Sequence, residues 1–146
     1  MIDGVIVTPQ REIETPGGNV FHAMKAGDPG FQGFGEAYFS TLEPNYIKPW
    51  KRHNRMTLNL LVPVGRIRFV LFDDRPKSPT YQEYQIVTLD KIDHYARLTV
   101  PPGVWMAFQS RSEQTSWLIN IADFLHDPLE ADRLNLGDIF FNWDLN

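Results

Sequence analysis

The chain contains no cysteine among its 146 residues. This excludes disulfide frameworks, cysteine-based zinc sites and thiol catalysis. No apolar run approaches the roughly 20 residues that a membrane-spanning helix needs, and the first residues lack the pattern of a signal peptide. We therefore expect no membrane association and a cytoplasmic location.

The chain also has no excess of basic residues. It contains 14 Lys and Arg and 18 Asp and Glu, which gives a net charge of −4. This balance argues against general binding to nucleic acids or acidic membrane surfaces. The length suits a single domain spanning residues 1–146, and a core of this size needs no disulfide or metal to fold.

The hydrophobic pattern predicts an all-β fold. Ile67, Phe69 and Leu71 alternate with other residues and share one face, while residues 56–64 are apolar, as in a strand buried on both sides. Gly65 lies between these two segments and predicts a tight hairpin turn. Further strands are predicted at residues 37–42, 83–89, 95–100, 104–109 and 116–122. Turn signals at about 8–12-residue intervals are typical of an antiparallel sandwich or barrel.

Helical character is confined to one short stretch near the C-terminus. Residues 128–134 are predicted to form a helix, with Asp127 as the N-cap and Pro128 at the first helical position. No helical stretch is long enough to connect parallel strands, so a βαβ fold is excluded.

A basic stretch at residues 48–55 stands out in this acidic chain, since it holds four of the 14 Lys and Arg. Lys48, Arg52 and Arg55 are candidate ligands for a phosphorylated molecule, because Arg binds phosphate oxygens bidentately and Lys adds charge. Strand alternation would place Lys51, His53 and Arg55 on one face. From spacing alone, a solvated basic loop is an equally good interpretation.

Trp105 follows a Pro-Pro-Gly turn at residues 101–103 and begins an alternating segment. Its ring is a candidate to stack on a base or sugar. Packing in the core is the commoner role of a single Trp in a β domain, and this alternative remains open.

The order of these features resembles the dTDP-4-dehydrorhamnose 3,5-epimerase family of cupins, in a divergent branch. The resemblance is carried by the basic stretch with His53, then VPVGRIRFVLFDDR, SPTY and LTVPPGVW. It implies a cupin-like jelly-roll β-sandwich, here with one short C-terminal helix, that usually forms a homodimer. It also implies a pocket for a deoxythymidine diphosphate (dTDP) 4-keto sugar inside the barrel.

The resemblance also bears on metal binding. Metal-binding cupins use a His-x-His pair, a Glu and a second His, and this sequence keeps only His53, with Lys51 and Met106 at two of the other positions. A stable mononuclear site needs three or four donors. We therefore expect no metal and no other cofactor.

Epimerisation beside a ketone needs a base, a group that stabilises the enolate oxygen, and an acid on the opposite face. The resemblance places Lys51 at the position of the family's base, with His53 two residues later. The family's stabilising Lys and acidic Tyr fall near Leu58 and Ile119, which cannot take these roles. Related 3,4-ketoisomerases have a His-x-His pair in the same place, and His53 of this chain matches its second member.

The resulting hypothesis is a metal-independent epimerase or isomerase acting on a dTDP-4-keto-6-deoxyhexose in deoxysugar or surface-polysaccharide biosynthesis. His53 would carry the proton and Lys51 would assist at the carbonyl. Tyr38 and Tyr46 are candidates for a replacement acid. The residues expected to bind substrate are Lys48, Arg52, Arg55 and Trp105.

Two other functional classes remain open. A non-catalytic cupin that binds a sugar nucleotide or carbohydrate would keep the basic stretch and lose the acid–base set. A purely structural module would scatter the basic residues over its surface. The apolar residues 139–143 should pack on the barrel or against a partner subunit, which favours a homodimer.

Overall fold

The computed structural model describes residues 1–144 of the chain. Twelve β-strands account for the regular structure within this range. They are β1 (Ile6–Pro9), β2 (Glu12–Thr15), β3 (Gly18–Phe21), β4 (Glu36–Leu42), β5 (Ile47–His53), β6 (Leu58–Val64), β7 (Arg66–Asp73), β8 (Tyr84–Asp90), β9 (Ala96–Val100), β10 (Val104–Ser110), β11 (Ser116–Ala122) and β12 (Ala131–Arg133).

The strands form two five-stranded antiparallel sheets and a separate hairpin. We call the sheet with strand order β1-β9-β6-β11-β4 the first sheet and the one with order β12-β5-β10-β7-β8 the second sheet. Strands β2 and β3 form the hairpin. From β4 to β7 the chain changes sheet at every connection, and it does so again from β8 to β11. This connectivity is that of a jelly roll, and the all-β prediction is confirmed.

The apolar strands were predicted more accurately than the polar ones. Strands β4, β6, β7, β8, β9, β10 and β11 all fall within two residues of the predicted segments. The sequence did not indicate β1, the β2–β3 hairpin or β12, and for residues 48–55 it allowed either strand alternation or a solvated loop. Strands β2 and β3 are largely exposed, and β5 contains Pro49 and three basic residues. None of these three strands therefore has an alternation of hydrophobic residues.

The hairpin predicted at Gly65 is wrong. Strand β6 hydrogen-bonds to β9 and β11, whereas β7 hydrogen-bonds to β10 and β8. Gly65 is therefore at a corner where the chain passes from one sheet to the other. Its φ of +78° is a conformation that glycine adopts readily, which is why a turn signal was present at a corner that forms no hairpin.

The predicted C-terminal helix is only one turn long. Asp127 caps a 3₁₀ turn at Pro128–Glu130 as expected, by accepting a hydrogen bond from the Leu129 amide. The following residues instead form strand β12, which pairs with the edge of β5. Pairing with an open sheet edge satisfies backbone groups that a lone helical turn would leave without partners.

The main core lies between the two sheets and consists of aliphatic and aromatic side chains such as Leu60, Phe69, Leu71 and Leu98. A second apolar cluster covers the outer face of the second sheet, where Trp50, Val70, Trp105 and Ala107 pack beneath the C-terminal segment. The apolar C-terminal segment thus packs on its own barrel. No helix in residues 1–144 is long and apolar enough to cross a membrane.

Candidate active site

Strand β5 directs three of the predicted site residues inward. Lys51 pairs with Met106 and Lys48 pairs with Phe108, both on the inward face of β10, while a bulge opposite Ala107 absorbs the extra residue between them. The bulge therefore brings Lys48 and Lys51, three residues apart, to the same side of the sheet. His53 follows two residues after Lys51 and faces the same interior.

His53 forms a buried pair with Glu130. Its Nδ1 lies 2.6 Å from Oε2 of Glu130, whose side chain is only 1% exposed. The other carboxylate oxygen, Oε1, accepts the backbone amides of Arg55 at 2.5 Å and Met56 at 2.8 Å. A carboxylate that accepts three hydrogen bonds is stabilised in its ionised form.

The electrostatics define the protonation of this pair. Burial acts to raise the pKa of Glu130, but hydrogen bonds from His53 and the two amides outweigh it and lower that pKa to about 2. Burial lowers the pKa of His53, and the nearby Lys51 charge adds to this effect, while Glu130 opposes it. An ionised Glu130 can only accept, so Nδ1 of His53 carries the proton and Nε2 has a free lone pair.

A cavity of about 110 Å³ lies between the sheets beside this pair. The second sheet contributes Lys51 and His53, and the first sheet contributes Tyr38, Ser40 and Asn120. The remaining wall is apolar and consists of Leu58, Leu60, Met106, Phe108 and Leu118. A largely apolar pocket with a few convergent polar groups is typical of a small-molecule site.

The mouth of the cavity opens into a cationic groove of about 310 Å³. Lys48, Lys51 and Arg133 line this groove, with Ser40 and Phe108 shared between it and the cavity. Burial lowers the pKa of Lys51, and the positive charge of Arg133 lowers it further. Three cations around one groove form a favourable environment for an anion such as a diphosphate.

The wall opposite His53 carries a tyrosine held by an amide. Asn120 Nδ2 donates to the Tyr38 hydroxyl at 3.0 Å, and Tyr38 and Asn120 are directly paired across β4 and β11. Asn120 is only 3% exposed, and its Oδ1 has no hydrogen-bond partner in residues 1–144. Tyr46, the other predicted candidate acid, does not line the cavity.

The structure does not bring Arg52 and Trp105 into the cavity. They are paired residues of β5 and β10 on the outer face, where the Arg52 guanidinium lies 4.6 Å from the Trp105 ring centroid. Arg52 is also bound to Asp132, and Trp105 is part of the cluster beneath the C-terminal segment. A stacking role for Trp105 on a ligand therefore does not fit its burial.

Arg55 is also outside the cavity. Strand β5 ends at His53, so the alternation that predicted a shared face for Lys51, His53 and Arg55 stops before Arg55. The Arg55 side chain is 60% exposed and ion-paired with Asp127 at 3.0 Å. Only its backbone amide contributes to the site, through Glu130.

Sequence reasoning missed four polar residues of the site, namely Glu130, Arg133, Asn120 and Ser40. Glu130 falls within the helix predicted at residues 128–134, and its contact with His53 spans 77 positions in the sequence. Arg133 lies on a three-residue strand whose partner is β5. Asn120 is a polar residue on the inward face of β11, and this interruption of an apolar strand is the one local signal available.

The charged group at Asp90, Asp93 and His94 does not form a comparable site. Asp90, Asp93 and His94 are close enough to hold a metal ion, but Arg66 already binds both aspartates and His94 binds Asp90. Asp90 and Arg66 line a shallow groove of about 510 Å³ near the Gly65 corner. The groove contains no residue of the His53–Glu130 pair.

Several known proteins resemble this chain. A dTDP sugar isomerase from Desulfovibrio desulfuricans G20 has 38% sequence identity and a TM-score of 0.93, over 97% of this chain and 92% of that one. The spore coat polysaccharide biosynthesis protein SpsL of Bacillus subtilis is 26% identical over 99% of this chain and 97% of its own length. The probable low-salt glycan biosynthesis epimerase Agl13 of Haloferax volcanii is 29% identical over 66% of this chain, and the match spans 62% of Agl13.

A family model also matches residues 51–145, which include Lys51, His53 and Glu130. The model is that of dTDP-4-dehydrorhamnose 3,5-epimerase. The match covers more than half of the chain, and the jelly-roll topology and the relatives agree with it. The resemblance inferred from the sequence is thus confirmed, and the chain belongs to the dTDP-4-dehydrorhamnose 3,5-epimerase family.

Proposed function

We propose that this protein is a metal-independent epimerase or isomerase of a dTDP-4-keto-6-deoxyhexose, acting in deoxysugar or surface-polysaccharide biosynthesis. The observation that carries the proposal is the buried His53–Glu130 pair beside a cavity whose mouth is cationic. Its location in a chain of the epimerase family, with relatives named for glycan and polysaccharide biosynthesis, supports the same activity.

His53 acts as the base in this proposal. Its Nε2 lone pair removes the proton from a ring carbon beside the ketone, and Glu130 stabilises the imidazolium that forms. The lowered pKa of His53 keeps the ring neutral and able to accept a proton near pH 7. Holding Nδ1 at 2.6 Å from a fixed carboxylate also orients the ring toward the cavity.

Lys51 assists at the carbonyl. Removal of the ring proton places negative charge on the ketone oxygen, and an ammonium donor in a partly buried site stabilises that charge. Lys51 lines both the cavity and the groove, so its amine can serve a sugar whose diphosphate extends outward. In this proposal, Lys51 on β5 is the group that stabilises the enolate, and it is two residues from the base His53.

Lys48 and Arg133 hold the diphosphate. Both line the cationic groove at the mouth of the cavity, so phosphate oxygens bound there leave the sugar pointing toward His53. Arg133 takes the binding role that the sequence assigned to Arg52 and Arg55, whose guanidinium groups pair with Asp132 and Asp127 instead.

The proposal includes a cytoplasmic homodimer. Phe39 and Trp117 are exposed neighbours on the outer face of the first sheet, with ring centroids 6.1 Å apart, and β4 is an open sheet edge. Exposed aromatic residues beside an unpaired edge support association with a second copy. A cytoplasmic location agrees with the use of an activated nucleotide sugar as substrate.

The function is tested by proton exchange. The protein is incubated with dTDP-4-keto-6-deoxyglucose in heavy water, and the ring protons beside the ketone are followed by NMR. We expect one ring-proton signal to disappear faster than in buffer alone, because His53 removes that proton and its imidazolium exchanges with solvent. Broadened ligand lines without exchange would instead support a non-catalytic sugar-nucleotide binder.

The same assay checks the assignment of the base. In His53→Ala we expect exchange to fall by about 10²- to 10⁴-fold, the usual contribution of a positioned general base. The affinity for dTDP should stay close to that of the wild type, since His53 does not line the cationic groove. Wild-type exchange in His53→Ala would contradict the role of His53.

A further inference from the structure

We infer that, within the proposed function, Tyr38 is the proton donor on the face of the sugar opposite His53, and Asn120 is the residue that positions it. The cavity is enclosed by two sheets, and its proton-handling groups lie on both. His53 extends from the second sheet, and Tyr38 extends from the edge strand of the first sheet. Inversion at carbon requires removal of the proton from one face and its return from the other, and this arrangement supplies both groups.

The hydrogen bond from Asn120 determines what the Tyr38 hydroxyl can do. Asn120 Nδ2 donates to the phenol oxygen at 3.0 Å, so the oxygen acts as acceptor toward Asn120 and its own proton is left for another acceptor. The same contact stabilises the phenolate that remains after the proton has been transferred. Asn120 is buried and fixed by the pairing of β11 with β4 and β6, which holds this geometry in place.

The free oxygen of Asn120 indicates that a ligand completes this pair. Oδ1 is buried, lines the same cavity as Tyr38 and has no partner in the described part of the chain. A buried amide oxygen without a donor is destabilising, because it has lost the hydrogen bonds that water would supply. A sugar hydroxyl in the cavity would donate to Oδ1 and would thereby place the ring against the Tyr38 hydroxyl.

The two proton transfers balance without any further reactant. The C–H bond beside the ketone breaks as its proton moves to His53 Nε2, and the electron pair forms the carbon–carbon double bond of the enolate. The Tyr38 O–H bond then breaks, a new C–H bond forms on the opposite face, and the ketone is restored. Tyr38 is 43% exposed, so its phenolate recovers a proton from water, and His53 releases its own to solvent.

The experiment measures two quantities in one reaction, namely exchange and inversion of the ring carbon of dTDP-4-keto-6-deoxyglucose in heavy water. In Tyr38→Phe we expect exchange within about 10-fold of the wild type, because His53 can return a deuteron to the face it deprotonated. Inversion should fall by about 10²-fold or more, in the range of a lost general acid. Asn120→Asp removes the amide donor with little change in shape, and we expect its ratio of inversion to exchange to fall about 10-fold.

Tyr46→Phe is the matched control, because Tyr46 belongs to the turn between β4 and β5 and does not line the cavity. Its ratio of inversion to exchange should equal that of the wild type. An unchanged ratio of inversion to exchange in Tyr38→Phe would overturn the role of Tyr38 and leave the proposed function intact. A wild-type protein that exchanges the ring proton without inverting the carbon would have the same meaning. Loss of exchange together with inversion in Tyr38→Phe, with dTDP affinity retained, would assign Tyr38 to deprotonation and also overturn the inference. A wild-type protein that exchanges no ring proton would overturn the proposed function itself.

Discussion

At the scale of single residues, Glu130 connects three parts of the site. Its carboxylate accepts hydrogen bonds from the His53 ring and from the amides of Arg55 and Met56, so it fixes both the His53 ring and the turn that follows β5. The hydrogen bonds compensate for the burial of the charge, which is why the pKa of Glu130 is about 2 and not elevated. Within the proposed function, Glu130 therefore contributes to both catalysis and folding.

Glu130 makes the stability of the protein depend on pH. Its pKa is lower in the folded state than the ordinary value of 4.5, so its contribution is fully present above pH 4.5 and is lost as the pH falls toward 2. The shift corresponds to about 3 kcal/mol of unfolding free energy over that window. We expect urea unfolding of Glu130→Gln to show a correspondingly weaker dependence on pH between pH 3 and 5.

The control for this prediction is Glu113→Gln, which changes an exposed carboxylate in the turn between β10 and β11. Its unfolding free energy should decline with acid as steeply as that of the wild type. The prediction fails if the unfolding free energies of Glu130→Gln and Glu113→Gln change equally steeply with pH between pH 3 and 5.

The two arginines Arg133 and Arg52 provide a second test at the residue scale. They lie on the adjacent strands β12 and β5, but Arg133 lines the cationic groove and Arg52 is on the outer face over Trp105. A charge-assisted hydrogen bond contributes about 1.5–3 kcal/mol. Calorimetric titration with dTDP should therefore show about 10- to 100-fold weaker binding for Arg133→Ala and less than about 3-fold for Arg52→Ala. Equal losses in the two variants would place the phosphates elsewhere.

At the scale of elements, strand β5 shows what local patterns can and cannot predict. The apolar strands of the main core were predicted because burial on one face leaves an alternation of apolar and polar residues, and burial on both faces leaves a continuous apolar run. In β5 the alternation is broken by the bulge opposite Ala107, and the strand looks like a basic loop. The pairs His53–Glu130 and Tyr38–Asn120 join residues 77 and 82 positions apart, so only the sheet pairing brings them together.

The corner at Gly65 predicts a stability difference between two glycines. A Cβ at Gly65 would lie 2.8 Å from Cβ and 2.9 Å from Cα of Ser116, whereas a Cβ at Gly17 in the β2–β3 hairpin would meet nothing within 4 Å. Both glycines have positive φ, of +78° and +84°, so conformational strain of about 1–2 kcal/mol is common to both. Steric overlap is added only at Gly65.

We therefore expect Gly65→Ala to lower the unfolding free energy by at least about 1 kcal/mol more than Gly17→Ala. Chemical denaturation of the two variants measures this difference directly. Equal losses would show that β11 moves away from the corner at no cost. Neither glycine lines the cavity or the cationic groove, so dTDP affinity serves as the check that the fold is intact.

At the scale of the whole molecule, the two sheets have different outer faces. The outer face of the second sheet is covered by the C-terminal segment, and that of the first sheet leaves Phe39 at 59% and Trp117 at 44% exposure. We expect sedimentation to give twice the chain mass of 16.9 kDa, because a second copy would cover these aromatic residues.

Trp117→Glu should shift that equilibrium toward the monomer by placing a charge in the contact. The control is Ile92→Glu, which changes an exposed apolar residue in the turn between β8 and β9. It should leave the sedimentation behaviour unchanged. A wild-type protein that sediments as a monomer at micromolar concentration would refute the dimer.

The separation of His53 from Glu130 in the sequence has a consequence for biosynthesis. His53 and Lys51 are translated before Glu130, which comes 77 positions after His53, and before Arg133, the third cation of the groove. A growing chain on the ribosome therefore cannot form the buried His53–Glu130 pair until Glu130 has been added. Within the proposed function, translation products that stop before Glu130 would carry the basic stretch without this pair and would be unable to consume the nucleotide sugar.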